Sequence, residues 1–227
     1  HTGESFVGAL QHADMPRRVG FSPDLGVVPM EPEVAQVCEA AAERFSEIGA
    51  QVDWYAPDFS GAIEAFQTLR GVLIAQMMES ILQQHRERIA PEIIWNIEKG
   101  LAVTNAQLLD AERVRSGLYQ RITAFFEEYD LLLCPTVSVP PFPKEQRYVE
   151  IIDGQPTQTY IDWIAITFAI TITSCPALSL PAGFTKTGLP VGLQVIGPPR
   201  GEAALLRACH RMEEVLDLAG QVPIDPR

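Results

Sequence analysis

Residues 18–55 decide the fold class, and they read RVGFSPDLGVVPMEPEVAQVCEAAAERFSEIGAQVDWY. The short apolar run Arg18–Phe21 predicts a β-strand. Glu31-Pro32-Glu33 then predicts a helix start, because proline is tolerated at the first helical position and acidic side chains are favourable in the first turn. Apolar side chains recur at helical spacing at Val34, Val37, Ala41, Phe45 and Ile48. Gly49 is expected to end this helix in the left-handed conformation, and Gln51–Tyr55 predicts a second strand.

The middle of the chain predicts three helices. The first runs from Gly61 to about Arg88, the second begins at Pro91 and ends at Gly100, and the third begins at Thr104. Gln107 stands three residues after Thr104, which is the spacing of a capping box. The apolar stripe predicted to face the core on the first of these helices is Ile63, Phe66, Leu69 (or Arg70), Leu73, Met77 and Ile81.

The carboxy-terminal half predicts three more strands. Asp130–Cys134 is continuously apolar after its first residue, which is typical of a strand buried on both faces. Ala177–Ala182 and Val191–Ile196 predict a hairpin. Ile161–Thr173 is ambiguous, because its β-branched residues favour a strand and its length favours a helix, and we prefer the helix. A last amphipathic helix is predicted at 202–218, ended by Gly220. Strands alternating with helices predict an α/β fold, with a mixed sheet flanked by helices and one domain over residues 1–227.

Composition excludes several classes of protein. The 227 residues are 47% hydrophobic and 20% charged, too apolar for a disordered chain. The net charge of −12 opposes direct binding to nucleic acid. The longest apolar stretch, Trp163–Ile170, is much shorter than the roughly 20 residues of a membrane span, so no membrane association is predicted. The chain starts at His1 without a signal peptide, and we expect a piece of something longer.

The four cysteines do not form a recognisable framework. They lack the spacing of a disulfide scaffold or a zinc site, so a reducing, cytoplasmic location and no metal or other cofactor are predicted. Cys209 and His210 are neighbours on a predicted helix and point about 100° apart, so they cannot form a thiol–imidazole pair. Cys175 has no basic neighbour to lower its pKa. A Gly-x-Ser-x-Gly elbow is also absent, and no residue of this chain is predicted to be catalytic.

Three ordered blocks of the second half resemble the closing region of amidase signature enzymes. They are YDLLLCPT at 129–136, PALSLPAGF at 176–184 and GLPVGLQVIGP at 188–198. Residues 17–54 and the tail 223–227 are also similar to members of this family. The resemblance covers nearly the whole chain but only about the second half of a family member. It implies that the chain is the carboxy-terminal part of the amidase signature fold.

The resemblance implies an enzyme that hydrolyses amide carbon–nitrogen bonds with a Ser–cis-Ser–Lys triad. The lysine and the Gly/Ser-rich segment of that triad would lie upstream of this sequence, so this chain alone is expected to be inactive. Its own contribution would be scaffold and pocket wall around a small-molecule amide substrate of the full-length parent. The resemblance makes Asp162, Trp163, Thr167 and Phe168 candidates for substrate contact. Trp163 and Phe168 could equally be core aromatics.

Departures from the family pattern bear on the substrate. Relatives often have Asn at the position of Thr171 and Gly at that of Ser174. The amidotransferases of this family that act on glutamyl-tRNA often have an acid where this chain has Ile164, which favours a stand-alone amidase over a glutaminase.

Two alternatives remain open at this point. One is a naturally separate binding or interaction module without catalysis, and the other is a cysteine hydrolase using Cys175 or Cys134. If part of the parent is missing, an exposed sheet edge or apolar face should make the chain associate, with a second copy of itself as one available partner.

Overall fold

The computed structural model describes residues 5–218 and 220–221. The tail resemblance at 223–227 therefore lies outside the described residues. In chain order the elements are α1 Phe6–Ala9, β1 Arg18–Phe21, α2 Pro32–Glu43, β2 Gln51–Asp53, α3 Ala62–His85, α4 Pro91–Leu101, α5 Asn105–Glu128, β3 Leu131–Pro135, β4 Ile151–Ile152, β5 Gln155–Pro156, α6 Ala165–Thr171, β6 Ala177–Phe184, β7 Pro190–Ile196 and α7 Glu202–Leu216. Short 3₁₀ turns occupy Arg44–Ile48, Arg86–Arg88 and Asp162–Ile164.

A five-stranded mixed sheet has the order β2-β1-β3-β7-β6. Strand β1 is parallel to β2 and β3, with Val19 opposite both Val52 and Leu131. Strand β7 is antiparallel to β3 and β6, with Leu193 opposite Leu180. This arrangement confirms the predicted α/β class and mixed sheet, and β4 and β5 form a separate small hairpin.

Local signals set most element ends. Pro32 starts α2, and Gly49 adopts φ 92° after the following 3₁₀ turn. Thr104 and Gln107 form the predicted capping box at the start of α5. All five residues of β3 are buried, as its continuous apolar run predicted. The last helix is shorter than predicted, because it ends at Leu216 and Asp217, not Gly220, takes the left-handed conformation.

The predicted stripe of α3 is wrong in its second half. Leu73, Met77 and Ile81 are exposed, with 55%, 65% and 41% of their surface accessible. The helix instead buries small residues, including Gly71 and Ala75, against α4. A glycine at the crossing lets two helix backbones come closer than large side chains would allow, and hydrophobic spacing alone does not register this preference.

Helices cover the sheet unevenly. Helix α2 packs against β3, β6 and β7, and α7 against β6 and β7. Phe125 of α5 reaches the position that a side chain on Gly20 would occupy in β1. Within the described residues, none of the helices combines the length and apolarity needed to cross a membrane.

Strand β6 lies at an edge of the sheet. Its Leu178 and Leu180 pack inward, whereas Ala177, Ser179 and Pro181 are exposed on the opposite face. One side of β6 pairs with β7, and no described strand pairs with the other side. A strand of eight residues with a free edge and an exposed face is a docking surface for another strand or chain.

Candidate functional site

The carboxyl ends of the parallel strands β1 and β3 position the candidate site. Ligands of open α/β sheets characteristically bind beyond the carboxyl ends of the strands. The Ser138 N–H, beyond β3, donates to the Trp163 carbonyl at 2.9 Å. The Glu31 N–H, before α2, donates to the Ser138 carbonyl at 2.9 Å. These bonds tie the segments that follow both strands to the turn that starts α6.

Asp162 lies on the rim of a cleft of about 400 Å³, whose wall also includes Val28, Ile63 and Gln158. Its carboxylate accepts hydrogen bonds from the backbone N–H groups of Gln158 at 2.6 Å and Thr159 at 2.9 Å, and from the Thr159 hydroxyl. The side chain therefore holds the turn before α6 in place while it borders the cleft.

The two candidate aromatics occupy different apolar clusters. Trp163 packs edge-on against Phe142, with ring centroids 5.3 Å apart, beside Val149. Phe168 is 7% exposed and stacks on Phe66 at 4.3 Å. The structure therefore brings these two rings to separate parts of the core around the turn.

Thr167 faces its own helix. Its hydroxyl donates to the Ile164 carbonyl at 2.6 Å, and the Thr171 hydroxyl donates to the Thr167 carbonyl at 2.8 Å. Of the four candidate residues, Asp162 is the one that borders the 400 Å³ cleft.

Ser174 adopts the conformation that glycine favours. It is a non-glycine residue with φ of 60°, in the loop between α6 and β6 where relatives often have glycine. A side chain in the left-handed region costs roughly 1–2 kcal/mol. The loop therefore keeps its path despite the departure from the family residue.

We expect Ser174→Gly to raise the free energy of unfolding by about 1 kcal/mol, because it removes this strain. Urea denaturation would measure the change. Ser80→Gly, at an exposed site inside α3, is the matched control and should lower stability by about 0.5–1 kcal/mol. A loss of stability in both variants would contradict the strain at Ser174.

The cysteines lack the environment of a nucleophile. Burial raises the pKa of Cys134 and of Cys209 to about 12, and it also raises the pKa of the half-buried Cys175. His210 is exposed and lies 3.9 Å from the Glu213 carboxylate. A thiol that stays protonated at neutral pH is a poor nucleophile, so the geometry does not favour a cysteine hydrolase.

A hydroxyl pair lies on the face of the sheet beside the exposed side of β6. The Thr136 and Ser179 hydroxyls are 2.8 Å apart. A side chain at Gly192 would come within 2.9 Å of both hydroxyls, so glycine is required there. The two oxygens hydrogen-bond to each other, and no described histidine, lysine or carboxylate makes a hydrogen bond to either.

Sequence reasoning missed a polar network between α3, α4 and the turn before α6. Arg70 Nη1 donates to Asn96 Oδ1 at 2.6 Å, and Asn96 Nδ2 donates to the Tyr160 hydroxyl at 2.6 Å. Tyr160 also lines a second cleft, of about 650 Å³, together with Trp95 and Tyr148. The available signal was a charged residue, Arg70, at a position of the predicted apolar stripe.

Potential metal ligands do not cluster in the part of the chain that the structure describes. There, no group of three or more His, Cys, Asp or Glu side chains is arranged to hold an ion.

Comparison with known proteins identifies the family. The Amidase family model matches residues 2–206. The chain belongs to the amidase family. An acylamidase of Rhodococcus erythropolis is 29% identical over 226 residues, which are 97% of this chain and 47% of the relative. A second relative, from the glutamyl-tRNA(Gln) amidotransferase of Synechococcus sp. (strain RCC307), is 26% identical over 97% of this chain and 50% of the relative.

Solved structures of amidase family proteins share the fold. A bacterial aryl acylamidase of the amidase signature family superposes with a TM-score of 0.80 at 21% identity, covering 97% of this chain and 49% of that protein. A second structure, described as an amidase, gives a TM-score of 0.78 at 24% identity, covering 90% of this chain and 46% of that protein. The chain spans about half the length of the curated relatives it matches.

Proposed function

We propose that this chain is the carboxy-terminal portion of an amidase-type hydrolase that cleaves amide carbon–nitrogen bonds. The observation that carries the proposal is the family match over residues 2–206 of a chain that spans only about half of its relatives. In the proposed parent, the Ser–cis-Ser–Lys triad lies upstream of residue 1. Residues 1–227 form one α/β domain that supplies scaffold and pocket wall.

The free edge of β6 supports this division of labour. Its exposed residues, Ala177, Ser179 and Pro181, present an uncovered sheet face beside an unpaired strand edge. The upstream half of the parent would pair with this edge and bring its nucleophile to the carboxyl ends of β1 and β3. Without that half, a second copy of the chain would be drawn to the same edge, which is the basis for a proposed homo-oligomer.

The pocket wall in this proposal is built around the turn before α6. Asp162 would face the substrate directly from the rim of the 400 Å³ cleft. Trp163 and Phe168 would shape the wall from their two apolar clusters, and Thr167 would sit on the helix between them. The substrate would be a small-molecule amide. The parent would act in the cytoplasm, with which the four free thiols are compatible.

Extending the reading frame upstream of residue 1 tests the proposal. We expect the extended protein to contain a Gly/Ser-rich segment and to release aniline from simple anilides. We expect no ammonia release from glutamine, since Ile164 stands where glutaminases of this family often have an acid. A native start codon at residue 1, or an extended protein that hydrolyses no amide, would favour a non-catalytic binding module.

A further inference from the structure

An arginine without a carboxylate partner lies between helices α3 and α4. The Arg70 side chain is half-buried and donates to two neutral oxygens, Asn96 Oδ1 at 2.6 Å and the Tyr160 hydroxyl at 3.2 Å. The acids of α4 are engaged elsewhere, since Glu92 pairs with Arg147 at 2.6 Å and Glu98 with Arg86 at 2.7 Å. The positive charge of Arg70 is therefore held in place by dipoles and is not neutralised by a carboxylate in the described part of the chain.

The network around this arginine has more donors than acceptors. The Tyr160 oxygen accepts from both Arg70 and Asn96, so the hydrogen of its own hydroxyl is used by neither. The Asn96 amide donates to the Glu92 carbonyl at 2.8 Å as well as to Tyr160. Asn96 itself is only 2% exposed, which fixes the position of the guanidinium. Arg70 has five N–H donors, and two of them are used by these partners.

The cleft of about 650 Å³ gives a ligand access to this network. Tyr160 lines it, with Trp95 and Tyr148 as further aromatic walls. Lys99 lies 4.7 Å from the centre of the Trp95 ring and adds a second positive charge nearby. The acids of the cleft wall are Glu92, which is already paired with Arg147, and Glu150.

We infer that Arg70 and the Tyr160 hydroxyl form a binding site for a carboxylate group carried by the substrate. A planar guanidinium matches the two oxygens of a carboxylate, and the tyrosine hydroxyl supplies a further donor. This inference rests on the proposed amidase function and narrows it to amides that carry an acidic group. Asn96 is a positioning residue, since it holds the guanidinium without facing the ligand.

Equilibrium binding to the complete protein tests the inference without relying on turnover. The probe is glutaranilic acid, and its methyl ester is the neutral comparison. We expect the acid to bind more tightly than the ester, and Arg70→Met to weaken its binding by about ten-fold to a hundred-fold while leaving ester binding unchanged. Arg86→Met removes an exposed arginine near the same helix pair, and it should leave both affinities unchanged.

Two further variants keep the test decisive. Arg70→Lys retains the charge and should recover part of the preference for the acid, even if Arg70→Met folds poorly. Tyr160→Phe should weaken acid binding a few-fold, since it removes one neutral donor. Equal binding of acid and ester by the unaltered protein, or equal losses for both ligands in Arg70→Lys and Tyr160→Phe, would overturn the inference. Failure to hydrolyse any anilide would count against the proposed function and leave this binding result intact.

Discussion

The isolated chain is expected to hydrolyse anilides at the rate of buffer alone, whereas the complete protein should exceed that rate by at least about 10⁶-fold. Acyl transfer needs an attacking atom, a group that accepts its proton and donors that stabilise the oxyanion. In the described residues the candidate thiols are held protonated by burial, because the pKa of Cys134 and of Cys209 is raised to about 12. His210, the neighbour of Cys209, lies exposed on α7.

Aniline release by the purified chain, followed by fluorescence, measures this directly. Circular dichroism and sedimentation would show whether the preparation is folded and whether it associates through the uncovered edge of β6. Adding the upstream half of the parent should restore turnover. Hydrolysis that stays with the pure chain and disappears in Cys175→Ala would mean that a thiol of these residues is the nucleophile.

Gly100→Ala should be the most destabilising small substitution in the helical layer, lowering the free energy of unfolding by about 3 kcal/mol. A side chain at this position would overlap the carbonyl oxygen of Gly71 and lie 2.9 Å from Ala75 Cβ. A backbone carbonyl cannot move aside by changing rotamer, so α3 and α4 would have to separate. For a protein of this size, the midpoint of thermal unfolding should fall by roughly 6–12 °C.

Gly117→Ala is the matched control, since Gly117 is also inside a helix. A side chain there would meet only the Arg121 guanidinium, at 3.4 Å, so the change should stabilise the protein by about 0.5–1 kcal/mol. Thermal and urea unfolding of both variants provide the comparison. A Gly100→Ala protein as stable as Gly117→Ala would show that the two helices are not in close backbone contact. Separation of the helices should also weaken carboxylate binding, because the Arg70–Asn96 bond spans the same pair.

Features that depend on neighbours in sequence were predicted well. The Thr104 capping box, the left-handed Gly49 and the fully buried strand Leu131–Pro135 all follow from local geometry or from a continuous run of apolar residues. The helix at Ala165–Thr171 and the β6–β7 hairpin were also predicted correctly. The four substrate-contact candidates remain a proposal that comes from the family resemblance.

The amino-acid sequence alone determined the α/β class, the mixed sheet and the family, because hydrophobic period, caps and motifs are written in consecutive residues. Only the tertiary structure decided which face of α3 is buried, since the close approach of Gly71 and Gly100 depends on residues from two different helices. It also decided that Arg70, Asn96 and Tyr160 meet. Their hydrogen bonds form only when folding brings distant segments together, and no local pattern records that distance.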